Sequence, residues 1–151
     1  MTIRCEIVTQ ERLVYEKDVD SINIPGVEGR MGILPNHSPL LTVLDFGEVI
    51  TRVNGEEEYF AIGGGIAEVQ PDKVIILADS AEHAEEIDEE LAAAARQRAE
   101  QAMEEGVEED PAVYEKIQAS LRFAQLSLDV SRRRKRRRNS AIPDLSNTTG
   151  S

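Results

Sequence analysis

The hydrophobic pattern of this chain changes period near Asp79, and that change constrains the fold more than any other feature. Before it, apolar residues alternate with polar ones: Ile3, Cys5 and Ile7 stand against Arg4 and Glu6, and Ile22 and Ile24 flank Asn23. A period of two sends successive side chains to opposite faces, so these segments predict half-buried strands. Val49, Thr51 and Val53 share one face of a further strand. Asn54-Gly55 then supplies the positive φ angles of a tight hairpin before Tyr59-Phe60-Ala61-Ile62. Segments 66–69 and 73–78 follow, separated by a turn at Pro71-Asp72. Short strands at this spacing predict an antiparallel sandwich or barrel.

Beyond Asp79 the pattern is helical. Residues 88–104 are rich in Ala, Glu, Gln and Arg, which favour helix. Asp88 is placed to cap the N-terminus, Glu89 and Glu90 suit its dipole, and Gly106 offers a stop. Leu91, Ala95, Ala99 and Ala102 form a narrow stripe of mostly small residues. Asp110-Pro111 starts a second helix, along which Tyr114, Ile117, Leu121, Ala124 and Leu128 recur at helical spacing. A short acidic connection makes the pair an antiparallel hairpin. With few large apolar residues, its docking to the rest of the chain is expected to be marginal, whether it acts as a switch or as a brace.

Charge is unevenly placed. Residues 132–138 hold 7 of the 17 lysines and arginines, so that 29 acidic side chains face only the remaining 10. An acidic body repels nucleic acid and anionic membranes, which leaves the basic run as the one segment able to bind either. That run contains no aromatic residue for base stacking. The polar segment 139–151 has the composition of a disordered tail. Cys5 is the only cysteine, which excludes an intramolecular disulfide and suits a buried reduced thiol. No stretch approaches the ~20 apolar residues of a membrane span, so the expectation is a soluble protein.

Chemistry-bearing motifs are few. His37 and His83 lack companions at metal-ligand spacing, and no P-loop, nucleophile elbow or His-Glu-x-x-His occurs. Gly63-Gly64-Gly65 leads into Ile66-Ala67-Glu68-Val69, a strand rather than a helix, and so reads as a bulge or bend instead of a phosphate cradle. Catalysis has no candidate residues, and no cofactor is expected. The most distinctive segment runs from residue 28 to 42, where Gly29, Gly32, Pro35 and Pro39 punctuate an apolar stretch around His37. Glycine and proline at this density predict a loop of one definite shape.

That segment carries a family resemblance. Gly32-Ile33-Leu34-Pro35-Asn36-His37-Ser38-Pro39-Leu40 resembles the hallmark loop of the epsilon subunits of F-type ATP synthases. Gly63-Gly64-Gly65-Ile66-Ala67-Glu68-Val69, Lys73-Val74-Ile75-Ile76-Leu77-Ala78, and Glu82 with Ile87-Asp88 match in the family's order, so that the likeness covers most of residues 2–130. It implies an α+β protein: an N-terminal antiparallel β-sandwich (1–84) that binds the rotor, a two-helix hairpin ending in the basic run (85–138), and a disordered tail (139–151). The implied role is non-catalytic. The sandwich joins the central stalk, between the c-ring, gamma and the catalytic head, and the hairpin can extend beside gamma to inhibit ATP hydrolysis.

Carried over by position, His37 and Thr42 match the gamma contact, and Glu28 and Arg30 the face toward the c-ring. Relatives often have a carboxylate where this chain has Arg30. Some bacterial relatives bind ATP in the folded hairpin. Here Glu82, Ile87, Asp88 and Arg98 persist, but Leu91 replaces the motif arginine, and Phe123 and Ser127 stand where second-helix arginines belong. Loss of those guanidinium donors predicts weak or absent ATP binding. Arg132, Arg133, Arg134, Lys135, Arg136, Arg137 and Arg138 are expected to hold the extended hairpin against acidic segments of the alpha/beta head, so truncation after Ser131 is expected to raise hydrolysis. The resemblance implies membrane association only through the complex, on the cytoplasmic face of a bacterial membrane, with a plastid thylakoid as the other setting. It implies no nucleic-acid partner. The competing class is a free-standing β-domain adaptor whose basic tail binds nucleic acid or anionic lipid.

Overall fold

The computed structural model describes residues 1–106 and 110–141. Eight strands precede two helices: β1 (Ile3–Val8), β2 (Leu13–Val19), β3 (Ser21–Gly26), β4 (Gly29–Ile33), β5 (Leu40–Val53), β6 (Glu56–Val69), β7 (Lys73–Ala78) and β8 (Ala81–His83), then α1 (Glu89–Glu104) and α2 (Pro111–Ala141). A single 3₁₀ turn, Ala84–Glu86, joins β8 to α1. The strands lie in the order β2-β1-β7-β6-β5-β3-β4, with β8 also on β6. All neighbours are antiparallel except β1 and β7, which run parallel.

Two long strands turn this sheet into a sandwich. β6 pairs β8 through Phe60–Ile62 and β7 only from Gly65 onward. The change of partner falls at Gly63, Gly64 (φ +86°) and Gly65 (φ +139°). A Cβ at Gly65 would stand 2.2 Å from the Leu77 carbonyl oxygen, so the glycine run is the corner at which the sheet folds over. The phosphate-cradle alternative has no helix to lead into. Across the closed interior Tyr15 of β2 meets Phe60 of β6 edge-on at 4.7 Å, and the Thr51 hydroxyl lies 3.4 Å from the Tyr15 hydroxyl. Ile3, Cys5, Ile7, Ile22, Ile24, Ile33, Val49, Phe60, Ile62 and Ile76 fill the core.

Three strands escape the alternation rule. β2 carries three successive charges, Glu16, Lys17 and Asp18, β8 has three residues, and β4 hides its period behind Gly29 and Gly32. The segment expected to be one apolar loop is therefore split. Residues 29–33 are the return strand of a hairpin with β3, Leu34 to Pro39 is the irregular connection, and β5 begins at Leu40. The strands expected at 59–62 and 66–69 are one continuous strand.

The helical boundaries follow their local signals. The Asp88 carboxylate accepts from the amides of Glu90 and Leu91, the Asp110 carboxylate accepts from the Ala112 amide, and Gly106 ends the α1 region at φ +78°. α2 continues three residues past Arg138, to Ala141, into the stretch expected to be tail. The remainder of that tail, residues 142–151, and part of the acidic connection, residues 107–109, lie outside the described residues.

Candidate functional site

Glu28 sits with Val27 in the two-residue turn between β3 and β4, exposed at the tip. Arg30, on β4, is fixed across its neighbours. Its Nε donates to the Asn23 side chain at 2.6 Å, and Nη2 donates to the Glu48 carbonyl at 2.6 Å. Burial pushes its pKa down. The guanidinium thus ties β3, β4 and β5 together. His37 lies in the connection after β4, where Asn36 adopts φ +70° and donates its amide to the Pro71 carbonyl at 2.8 Å. His37 Nδ1 stands 2.7 Å from the Ser38 carbonyl, so the ring donates from that nitrogen. Thr42 is half-buried and shares its face of β5 with the buried Leu44, whereas Leu41 and Val43 point outward.

Those outward neighbours begin a row that the sequence reading missed. Val43 pairs Ile66, Ile66 pairs Leu77, Leu77 pairs Val8, and Val8 pairs Leu13. Directly paired residues share a face, so this is one transverse stripe over five strands, spanning roughly 20 Å at ~4.8 Å per strand. Val43, Ile66, Leu77 and Leu13 are 43–55% exposed, and Leu41 extends the stripe along β5 at 70%. An exposed apolar patch this continuous marks a contact surface. The signal was present in Leu40-Leu41-Thr42-Val43-Leu44 and Val74-Ile75-Ile76-Leu77, where apolar residues occupy both parities as they do when both faces become covered.

The outer face of the other layer is covered by α2. Ala61, Ala84 and Val130 form a small second core with Tyr59, Ile87, Phe123 and Leu126 around it. Phe123 seats against Gly63, where an added Cβ would come within 3.0 Å of its ring. The Arg122 guanidinium stacks 4.3 Å above Phe46 and reaches Asp45 at 3.1 Å. At the end of α2 the basic run meets acids of the chain itself. Arg134 contacts Glu85 at 3.4 Å, Lys135 contacts Glu89 at 3.0 Å, and Arg137 contacts Glu48 at 3.1 Å.

Between the hairpin and the glycine corner lies a cleft of about 830 Å³, lined among others by Glu82, Asp88 and Arg98. Ile87 instead packs against the second core. Asp79 and Glu86 add to the acidic lining, against which stand only Arg98 and Lys116. Burial pushes the Glu82 carboxyl above the usual range, Arg12 opposes this, and Glu86 reinforces it. The Asp88 carboxylate is committed to capping α1. Even with Arg12 paired to Glu86 at 3.5 Å, four carboxylates against Arg98 and Lys116 leave the cleft acidic and unfavourable to a polyphosphate. Among the described residues no group of three or more His, Cys, Asp and Glu could hold a metal ion, and no helix is long and apolar enough to cross a membrane.

The chain resembles known proteins over most of its length. Residues 2–84 match the family model for the β-sandwich domain of the ATP synthase delta/epsilon chain. The ATP synthase epsilon chain of Herpetosiphon aurantiacus is 48% identical over 137 residues, covering 91% of this chain and 99% of that one. Among solved structures, a chain of the Euglena gracilis mitochondrial ATP synthase, determined with OSCP, F1 and the c-ring, aligns with TM-score 0.64 at 26% identity over 83% of this chain and 78% of that one. A chain from the central stalk and c-ring of the Tetrahymena thermophila mitochondrial ATP synthase shares the fold, with TM-score 0.55 at 16% identity over 87% and 97%.

Proposed function

The chain belongs to the ATP synthase epsilon-chain family, and we propose that its exposed apolar stripe is the face by which it is held in the rotor. It is a non-catalytic subunit of the F-type ATP synthase, part of the central stalk of a membrane-associated complex. Its partners lie within that complex.

The finer assignment rests on geometry. The stripe Val43–Ile66–Leu77–Val8–Leu13, with Leu41 beside it, faces away from the hairpin's layer and has no cover among the described residues. Covering one such side chain recovers about 1.5–3 kcal/mol before the costs of association. We assign the stripe to gamma. His37 and Thr42 support it from the adjoining connection and from the inner face of β5, and the Glu28 turn at the neighbouring edge is turned toward the c-ring. Arg30 shapes that edge through Asn23 and Glu48. The hairpin is an inhibitory element that undocks and extends beside gamma toward the alpha/beta subunits, where the basic run engages acidic segments. We assign the protein, through that complex, to the cytoplasmic face of the membrane. A free-standing adaptor is disfavoured, because three cations of the run already engage acids of the chain itself and the apolar stripe would stay bare.

Co-purification with gamma tests the docking face. Leu77→Asp should weaken the complex at least about tenfold, since it places a charge in a desolvated contact, while the isolated chain keeps its circular dichroism. Undiminished gamma binding by Leu77→Asp together with Val43→Asp would remove the stripe from the interface.

A further inference from the structure

The docked hairpin has little apolar surface to hold it. α1 buries a single residue fully, Ala99, and α2 meets the body chiefly through Phe123, Leu126 and Val130. The basic run does the rest. Ser131, Lys135 and Arg134 with Arg137 recur at three- and four-residue steps, which puts them along one side of α2. The Ser131 hydroxyl and Lys135 Nζ both donate to Glu89 Oε1 at 3.0 Å. Arg134 meets Glu85, one turn before Glu89 in the sequence. Arg137 crosses the Tyr59 ring at 4.4 Å and ends on Glu48.

Glu48 is the telling partner. It stands on the outer face of β5, its residue is only 5% exposed, and its second carboxylate oxygen has no hydrogen-bond partner among the described residues. A carboxylate so enclosed needs a cation close by; Arg30 lies near it, and among the described residues Arg137 is the cation paired with its carboxylate. The three acids belong to three elements: β5, the 3₁₀ turn and the first turn of α1. We propose that the basic run is an ionic latch, in which Arg137 on Glu48, Arg134 on Glu85 and Lys135 on Glu89 lock the end of α2 to the body and to the start of α1. Three cations of the run are therefore occupied in the docked state. Any outside acidic segment that takes up these cations must displace Glu48, Glu85 and Glu89 first. Because the contacts are ionic and partly exposed, the latch loosens with salt.

The latch is intramolecular, so its test needs no partner and stands apart from the gamma-docking assignment. Hydrogen exchange is followed on the isolated full chain at about 0.05 and about 0.5 M salt, a range over which screening length falls severalfold. Amides of residues 112–130 should exchange at least about fivefold faster at high salt, and equally so in Arg137→Gln or Glu48→Gln at low salt. The double variant should be no faster than either single one. Arg138→Gln, which takes part in none of these ion pairs, should stay within about twofold of the parent. The proposal is overturned if residues 112–130 are indifferent to salt and to Arg137→Gln, if Arg138→Gln matches Arg137→Gln, or if the β5 and β6 amides accelerate to the same extent.

Discussion

Position 65 illustrates how much one residue can decide. Its φ of +139° and the 2.2 Å approach of a Cβ to the Leu77 carbonyl leave no accommodation short of moving backbone. Gly65→Ala should therefore lose roughly 2–4 kcal/mol in urea unfolding, whereas a substitution at Gly32, around which space is open and φ ordinary, should cost far less. Cys5 makes the stability of the body sensitive to alkaline pH. Burial pushes its thiol from 9.0 up to about 12, so the folded state resists ionisation that the unfolded chain permits. Below pH 9 this group leaves stability unchanged. Between about 9 and about 12 stability falls by about 1.4 kcal/mol per pH unit from this group. Cys5→Ala or Cys5→Ser should flatten that decline in unfolding curves across the range; an unaltered slope would refute it. Of these two residues the sequence announces only part. A triple glycine before a strand signals a bend, and a lone cysteine in an alternating strand signals burial. The Leu77 carbonyl that makes Gly65 obligatory comes from β7 and cannot be seen in the local sequence.

The elements divide by the range of the forces that specify them. Asp88, Asp110 and Gly106 specify helix ends through bonds within a few residues, and each was legible in the chain. β4 and β2 were not, because glycine and charge interrupt a pattern whose meaning depends on the neighbouring strand. Nor can alternation say which face will stay bare, so it gave no reason to single out Leu41 and Val43, whereas Thr42 came from its position in the family resemblance. The hairpin cleft joins both kinds of information. Leu91, Phe123 and Ser127 already signalled missing guanidinium groups, and the fold adds that Asp79, Glu82, Glu86 and Asp88 gather in the same cleft. Isothermal titration of the isolated chain with Mg-ATP should accordingly give no micromolar site. Heat release that saturates at micromolar nucleotide would contradict the cleft's electrostatics.

For the whole molecule, the separation of a stable body from a thinly docked hairpin predicts two separable activities. The catalytic head assayed with residues 1–87 should hydrolyse ATP faster than with the full chain, while both retain gamma; equal rates would deny the hairpin an inhibitory role. The division itself was legible as the change of period near Asp79. The pairing of Arg137 with Glu48, 89 positions apart, was invisible there, since no periodicity links two such residues. The parallel partnership of β1 with β7 carries a further consequence, for synthesis. β1 meets Val74, Ile76 and their neighbours, which the ribosome adds some seventy residues later. At roughly 5–20 residues per second, Ile3, Cys5 and Ile7 wait several seconds without their central partner, joined at most to β2. During that interval β1 presents an adhesive edge, and it becomes an interior strand of the sheet only once residues up to Ala78 have left the ribosome.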